Sequence, residues 1–285
     1  MKAVATGEVP ISLPSVDPLA NGRPQGVRAK IYYTAYQTNG YGIAVPADSA
    51  IQSPAELRGK SIGVTSLASA GVVVARAQVA AAGLDPAKDV QIVVAGEGAQ
   101  TAAMVRNKQV EALSQFDTQY AMVENSGVKM RYLDRRDIEK FPGNGFLASE
   151  ETLRTRKKEL IGMARAYAKG TIFTIANPEA AVRIVYEVFP QTKPTGKDEA
   201  TAVREDIKVL EARMPHYKLE PAGVKRWGEN SEVNYRDYVD FLVKWSVITQ
   251  KVPTSDLITN DLIEDINRMD VGKIAAEAAA YRYSR

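Results

Sequence analysis

The sequence predicts an α/β protein of two lobes, with a helix-rich C-terminal part. Three observations predict it. Strand and helix signals alternate through the first half of the chain, nearly everything after residue 150 reads as helix, and a segment near the N-terminus repeats weakly farther along.

Residues 60–65 (KSIGVT) are a short β-branched run after Gly59, and 70–82 read as a small-residue helix stopped at Gly83. Residues 90–94 (VQIVV) are a second strand, from which 96–100 turn into a helix ending near Asn107. A third strand is expected over 110–114 and a helix over 117–125. Strands separated by helices of this length imply βαβ crossovers and a parallel sheet. Ser53-Pro54-Ala55-Glu56 has the form of a helix start, with Ser as cap, Pro at the first position and Glu placed for a capping box. Beyond the turn Phe141-Pro142-Gly143-Asn144-Gly145, Asn177-Pro178 starts a helix that runs to Phe189-Pro190. Tyr235, Tyr238, Leu242 and Trp245 form one amphipathic stripe, and Leu257, Ile258, Leu262, Ile263 and Ile266 another, both read as helical core. Arg154, Arg156, Lys157 and Lys158 read as the solvated face of a helix.

The repeat joins Ala3–Val9, a strand at 11–13 and the loop Ser15-Val16-Asp17 to Met104–Val110, a strand at 111–114 and the loop Gln115-Phe116-Asp117. Each copy reads as helix end, polar turn, strand and a loop ending in Asp. Two α/β lobes that each offer a strand-end loop to a shared cleft would produce this pattern. In the second copy a strand, a helix and another strand come first. By that offset a first βαβ unit of about 45 residues is expected ahead of Met1, and a secretory signal would lie upstream of it.

Composition narrows the function. With 285 residues and 45% hydrophobic content the chain can build two cored lobes. The 37 Lys and Arg against 34 Asp and Glu leave a charge of +3, too balanced for nucleic acid as main partner. No cysteine is present, which excludes disulfides, thiolate metal sites and cysteine nucleophiles. A single histidine, His216, removes His-based metal cages and disfavours a Ser-His-Asp hydrolase. No phosphate loop, nucleotide fingerprint or nucleophile elbow occurs, so no cofactor is expected. No apolar run approaches the roughly 18 residues of a membrane span.

The run Tyr41-Gly42-Ile43-Ala44-Val45-Pro46-Ala47-Asp48-Ser49, followed by Ser53–Val64 (SPAELRGKSIGV), resembles the solute-binding proteins of ABC importers. The likeness is to the nitrate/sulfonate/taurine-type family, which shares its domain with the yeast thiamine-pyrimidine synthases. Residues 2–9 (KAVATGEV), 112–120 (ALSQFDTQY), 141–148 (FPGNGFLA) and 238–260 fit the same family. The resemblance implies a type II periplasmic-binding-protein fold. One lobe would take 1–50 plus 149–285 and the other 51–148, joined by hinge strands at 41–45 and 145–149. It further implies a periplasmic, monomeric receptor that closes on a small organic anion and docks on a membrane permease.

Thr65-Ser66-Leu67-Ala68-Ser69-Ala70-Gly71 is the candidate anion anchor, since it follows a strand and opens a helix whose free N–H groups attract negative charge. The alternative is that Ser66 or Ser69 only caps that helix. Tyr36, Gln37, Asn39 and Tyr41 offer ring faces and amides, or else form a polar turn cornered at Asn39-Gly40. Gln115, Phe116 and Asp117, with Tyr120, are placed at a strand end, and Asp17 is their counterpart. Either Asp could instead cap the next helix. Asn144 at the second hinge touches ligand or serves the backbone. These loops contain no Arg or Lys, which favours a monoanionic organic ligand with an apolar or aromatic body. The competing classes are an enzyme related to thiamine-pyrimidine precursor synthesis, for which His216 stands in no motif, and a ligand-sensing effector domain. The binding protein is the reading that composition and resemblance share, so no enzyme activity is expected.

Overall fold

The computed structural model describes residues 1–283. Its strands are β1 (Ala29–Thr34), β2 (Tyr41–Pro46), β3 (Lys60–Val64), β4 (Val90–Val94), β5 (Ala112–Phe116), β6 (Met130–Tyr132) and β7 (Gly145–Ser149). The chain divides into two compact units. The first comprises Met1–Thr38, Pro142–Arg236 and the chain from Val252 onward; the second comprises Asn39–Phe141 and Asp237–Lys251.

The second unit is built on one sheet of order β4-β3-β5-β2-β6. β3 runs parallel to β4 and β5, while β2 lies antiparallel to both β5 and β6. Both faces are covered, as parallel strands require. Ile43, Val45 and Ile62 pack with Ala75 and Val79 of the Ala70–Ala81 helix on one face. Ala44 and Leu113 pack with Ala102 and Val105 of the Gly98–Arg106 helix and Val123 of the Asp117–Asn125 helix on the other. Gly63 sits where the layers are tightest, because a Cβ there would come within 2.8 Å of both Ala95 and Leu113.

The first unit has a smaller sheet. β1 and β7 pair antiparallel, and isolated bridges add Ser12 beside Leu147 and Ile258 beside Ile31. The strand expected at 11–13 is reduced to the Ser12 bridge, since Pro10 and Pro14 on either side have no N–H for a ladder. Helices make up the rest. The Lys157–Ala176 helix buries Leu160, Ala164, Ala168 and Ile172 on one stripe, the first three packed with Tyr32, Tyr33 and Phe146 of the two strands. Asn177 Oδ1 accepts from the Ala180 N–H and caps the Pro178–Val188 helix, as its sequence indicates.

Several expectations shift. The segment expected to start a helix at Ser53 makes a single 3-10 turn, Pro54–Leu57, and Ser53 Oγ donates to Glu56 instead of capping. The apolar stripe 257–266 is broken into Thr254–Leu257 and Ile263–Ile266 because Ile258 is drawn to β1 and the Thr259 N–H bonds Ile31 O. The two expected hinge strands are interior elements. β2 lies between β5 and β6 in the second unit, and β7 pairs with β1 in the first. The chain crosses between units after Thr38, Phe141, Arg236 and Lys251, so 39–50 pack with the second unit and 142–148 with the first. Tyr235, Tyr238 and Leu242 are buried as the stripe requires, and the basic residues 154 and 156–158 are exposed. Among the described residues no helix is long and apolar enough to cross a membrane.

Candidate functional site

In the second unit, the ends of β3, β4 and β5 bring one set of candidates together at the sheet's C-terminal edge. The loop Thr65–Ser69 leads into the Ala70–Ala81 helix, whose first turn carries no side-chain cap. Ser69 stands at the cap position, but its hydroxyl donates back to Ser66 O (2.8 Å) rather than accepting from the helix. Thr65 is half-buried, Ser66 is exposed and Leu67 is 67% exposed. Ala70 supplies only backbone here. Gly71 is fixed by packing: a Cβ would lie 2.1 Å from Ser114 O, and Ser114 Oγ donates to Gly71 O (2.7 Å). The helix start is thereby pressed against β5.

β5 extends two residues past its expected end, so Gln115 and Phe116 are ladder residues and not loop. Alternation sends Ser114 to the Gly71 side and Gln115 to the other, where its Nε2 donates to Gly96 O (2.8 Å). Asp117 opens its helix; its N–H bonds Gly40 O, and its Oδ1 accepts from the Thr118 N–H (2.7 Å). Tyr41 and Phe116 meet edge to face at 5.3 Å. Asn39 forms a closed local turn, with Oδ1 accepting from the Tyr41 N–H (3.0 Å) and Nδ2 donating to Tyr41 O (3.2 Å). Tyr120 is structural as well. Its buried hydroxyl donates to Gly42 O and Leu113 O and accepts from the Gln115 N–H, and burial pushes its pKa well above the ordinary phenol value.

The first unit gathers Tyr36, Gln37 and Asn144. The N–H groups of Ala35 and Tyr36 both donate to Asn144 O, and Asn144 Nδ2 donates to Leu13 O (2.9 Å). Gln37 is 3% exposed and its Nε2 donates to Thr34 O and Glu229 O. Asp17 starts the Asp17–Gly22 helix, half-buried, with Val16 at the cap position and no side-chain cap bond. The amides of Gln37, Asn39 and Asn144 are therefore tied to backbone, and the turn and backbone alternatives describe them better than free ligand-binding amides.

Sequence spacing missed two cations. Arg213 lies 4.1 Å over the Tyr36 ring, with Tyr217 tilted beside it at 5.8 Å. Arg135 packs over Tyr132, and its guanidinium reaches the carbonyls of Asn39 and Tyr41 at 3.5 and 3.4 Å. The loops themselves contain no Arg or Lys; these charges come from segments distant in sequence. His216 is buried, with Nδ1 2.8 Å from Thr38 Oγ1 and its carbonyl taken by the Gln37 N–H. A groove of about 950 Å³ in the second unit, rimmed by Lys60, Arg106, Lys108 and Lys129, opens at the other end of β3 and β5 and contains none of the candidates.

A family model described as NMT1/THI5 like matches residues 1–181. The chain belongs to the NMT1/THI5-like family. Its NMT1/THI5-like sequence is 25% identical over 171 residues to the riboflavin-binding protein RibY of Chloroflexus aurantiacus, 60% of this chain and 48% of that protein. The chain thus spans about half the length of the curated relative it matches. Among solved structures, the alkanesulfonate-binding protein SsuA of Xanthomonas axonopodis pv. citri, bound to MOPS, has a TM-score of 0.61 at 17% identity, covering 90% of this chain and 83% of that one. The ligand-binding component of an ABC-type import system from Staphylococcus aureus, with zinc bound, has a TM-score of 0.63 at 13% identity, covering 94% and 84%. A cysteine-to-serine mutant of the desulfurization enzyme DSZB, in complex with biphenyl-2-sulfinic acid, has a TM-score of 0.55 at 13% identity, covering 94% and 88%. At such identities the likeness is one of fold. This NMT1/THI5-like chain has the periplasmic-binding-protein fold, which serves binding proteins and an enzyme alike.

Proposed function

We infer that this protein is the extracytoplasmic substrate-binding component of an ABC importer, taking a small organic molecule with an anionic or strongly accepting group. The observation that carries the reading is the second unit's sheet edge. There the Ala70–Ala81 helix starts at the C-terminal end of β3 without a side-chain cap, beside the hydroxyls of Thr65, Ser66 and Ser69. Uncapped N–H groups and the helix dipole favour a carboxylate or sulfonate by about 0.3–2 kcal/mol. A micromolar ligand needs about 8 kcal/mol, so apolar contact, for which exposed Leu67 and the Tyr41–Phe116 ring pair are the candidates, supplies the larger part. The sulfonate- and riboflavin-binding proteins that this chain resembles support an organic ligand over an inorganic oxyanion.

Permease docking, a periplasmic location, a monomeric state and lobe closure on the ligand belong to the same proposal. The enzyme reading is less well supported, because His216 is buried and engaged with Thr38, and no cysteine nucleophile exists. Titration calorimetry against alkanesulfonates, aromatic carboxylates, riboflavin and inorganic oxyanions tests the ligand class, with light scattering for the monomer and small-angle scattering for closure. Saturable binding of an organic member with a reduced radius of gyration is expected. Binding confined to inorganic oxyanions, or turnover of any member, would overturn it.

A further inference from the structure

The second unit carries a groove that the proposed ligand site does not use, and one lysine on its rim stands where glycine is the default. Three helices of that unit end in the same way. After each C-cap the chain turns left-handed, and the next two N–H groups reach back to carbonyls of the last turn. The Ala70–Ala81 and Asp117–Asn125 helices place Gly83 (φ +81°) and Gly127 (φ +85°) at the left-handed position, which glycine adopts without strain. The Gly98–Arg106 helix places Lys108 there (φ +55°), with its N–H on Val105 O and the Gln109 N–H on Met104 O. The helix dipole does not require this cation, since Arg106 already stands in the last turn. A side chain kept at a backbone cost points to a role outside the helix.

Lys108 rims the groove of about 950 Å³ together with Lys60, Arg106 and Lys129. Arg106 donates to Ser126 O, and Lys60 lies 3.9 Å from Glu111. Lys108 and Lys129 are exposed and, among the described residues, take part in no ion pair. Of the groove's carboxylates, Glu111 is spent on Lys60 and the Ser61 N–H, which leaves Asp48. Beneath the rim Val105, Val110 and Val128 are only 7, 1 and 8% exposed. The groove therefore presents ammonium groups and little apolar surface, which suits carboxylates better than a lipid tail. No aromatic residue lines it on which a nucleic-acid base could stack. We propose that this groove docks an acidic stretch of a partner polypeptide, with Lys108 and Lys129 holding its carboxylates. The groove opens at the end of β3 and β5 away from the ligand-facing helix start, so the inference stands apart from the ligand-binding role.

Octa-glutamate, octa-serine and oligo-thymidylate, titrated into the native chain at low salt, test it. Octa-glutamate should bind saturably, about tenfold or more tighter than the other two, and weaken several-fold as salt rises to about 0.3 M. The double variant Lys108→Glu, Lys129→Glu should lose about tenfold or more in that affinity. The control Lys157→Glu, Lys158→Glu, on an exposed helix face of the first unit, should stay within about twofold of native. Lys108→Gly separates docking from structure. Its affinity should fall about threefold, the size of one exposed ion pair, while its thermal midpoint stays at or above the native value because the left-handed turn is relieved. Four results would overturn the assignment: no saturable binding of octa-glutamate, binding of oligo-thymidylate as tight or tighter, equal losses in the two charge-reversed variants, or a Lys108→Gly chain that melts lower and binds as well as native.

Discussion

The two units spend their strand-end polarity differently. In the first, Gln37 and Asn144 have their amide nitrogens on Thr34 O, Glu229 O and Leu13 O, and Arg213 covers a face of Tyr36. In the second, the Ser69 hydroxyl turns back onto its own loop, the helix start is uncapped, and Gln115 keeps an unmatched oxygen. One set holds its backbone together; the other holds its backbone and still has hydrogen-bonding capacity to offer. Residue type alone does not separate these cases, since both sets are amides, hydroxyls and tyrosines.

The strongest way to break this contrast is at the glycines that hold each set. Gly228 has φ +79°, and a Cβ there would sit 1.9 Å from Tyr33 Cδ2, while the Gly228 carbonyl takes the Thr34 N–H. Gly228→Ala should therefore destabilise by about 3 kcal/mol or more through overpacking and backbone strain together. A denaturant midpoint close to the native value would show that the turn relaxes. Next in size, Ser69→Trp fills the space over the uncapped helix start without touching the core. Binding of the best panel member should drop about 100-fold, roughly 2.7 kcal/mol, with the thermal midpoint unchanged. Retained affinity would remove the helix start from the site and make the second unit as purely structural as the first.

How much of this was legible follows the range of the interactions. The strands at 60–64 and 90–94 were readable because their β-branched runs carry the signal locally. The helix at 117–125 was readable because Asp117 follows the strand and stands in the helix's first turn. The hydroxyl-rich loop before the Ala70–Ala81 helix could be placed from local pattern, strand then Ser then small residues. The fate of Gln37 could not: its partner Glu229 is 192 residues away. Arg213 over Tyr36 and Arg135 beside Asn39 are likewise tertiary meetings with no periodic trace. The two-residue extension of β5 escaped because β2, which pairs with Gln115 and Phe116, is itself distant in sequence.

A sharper test of the contrast is Gln37→Ala. The variant strips two donated bonds, one from the buried Thr34 carbonyl and one from the half-buried Glu229 carbonyl, so stability should fall by about 2 kcal/mol, read as a lower denaturant midpoint at constant slope. Ligand affinity of the folded protein should move less than about threefold, below the tenfold steps that 1.4 kcal/mol produces. A large loss of affinity with little loss of stability would show that the first unit's amides face the ligand after all.

The smallest effect lies in the turn that holds Gln37 from the other side. The Arg226 guanidinium on Glu229 keeps that carboxyl below its usual range, helped by the N–H groups of Lys225 and Arg226. A carboxyl whose pKa is lower folded than unfolded binds fewer protons in the native state between those two values. Its contribution is complete above the ordinary Glu value of about 4.3. It is lost as pH falls through the lowered native value. The pair is partly exposed, so about 0.2–1 kcal/mol is at stake. The native chain should therefore lose slightly more stability than Glu229→Gln between pH 5 and pH 3, and the difference should shrink in high salt. Because Glu229 O is the carbonyl that Gln37 Nε2 bonds, the pH-dependent part should also shrink in a Gln37→Ala background. Equal pH slopes in the two backgrounds would show that the ion pair steadies only its own turn and has no share in holding the first unit's strand end.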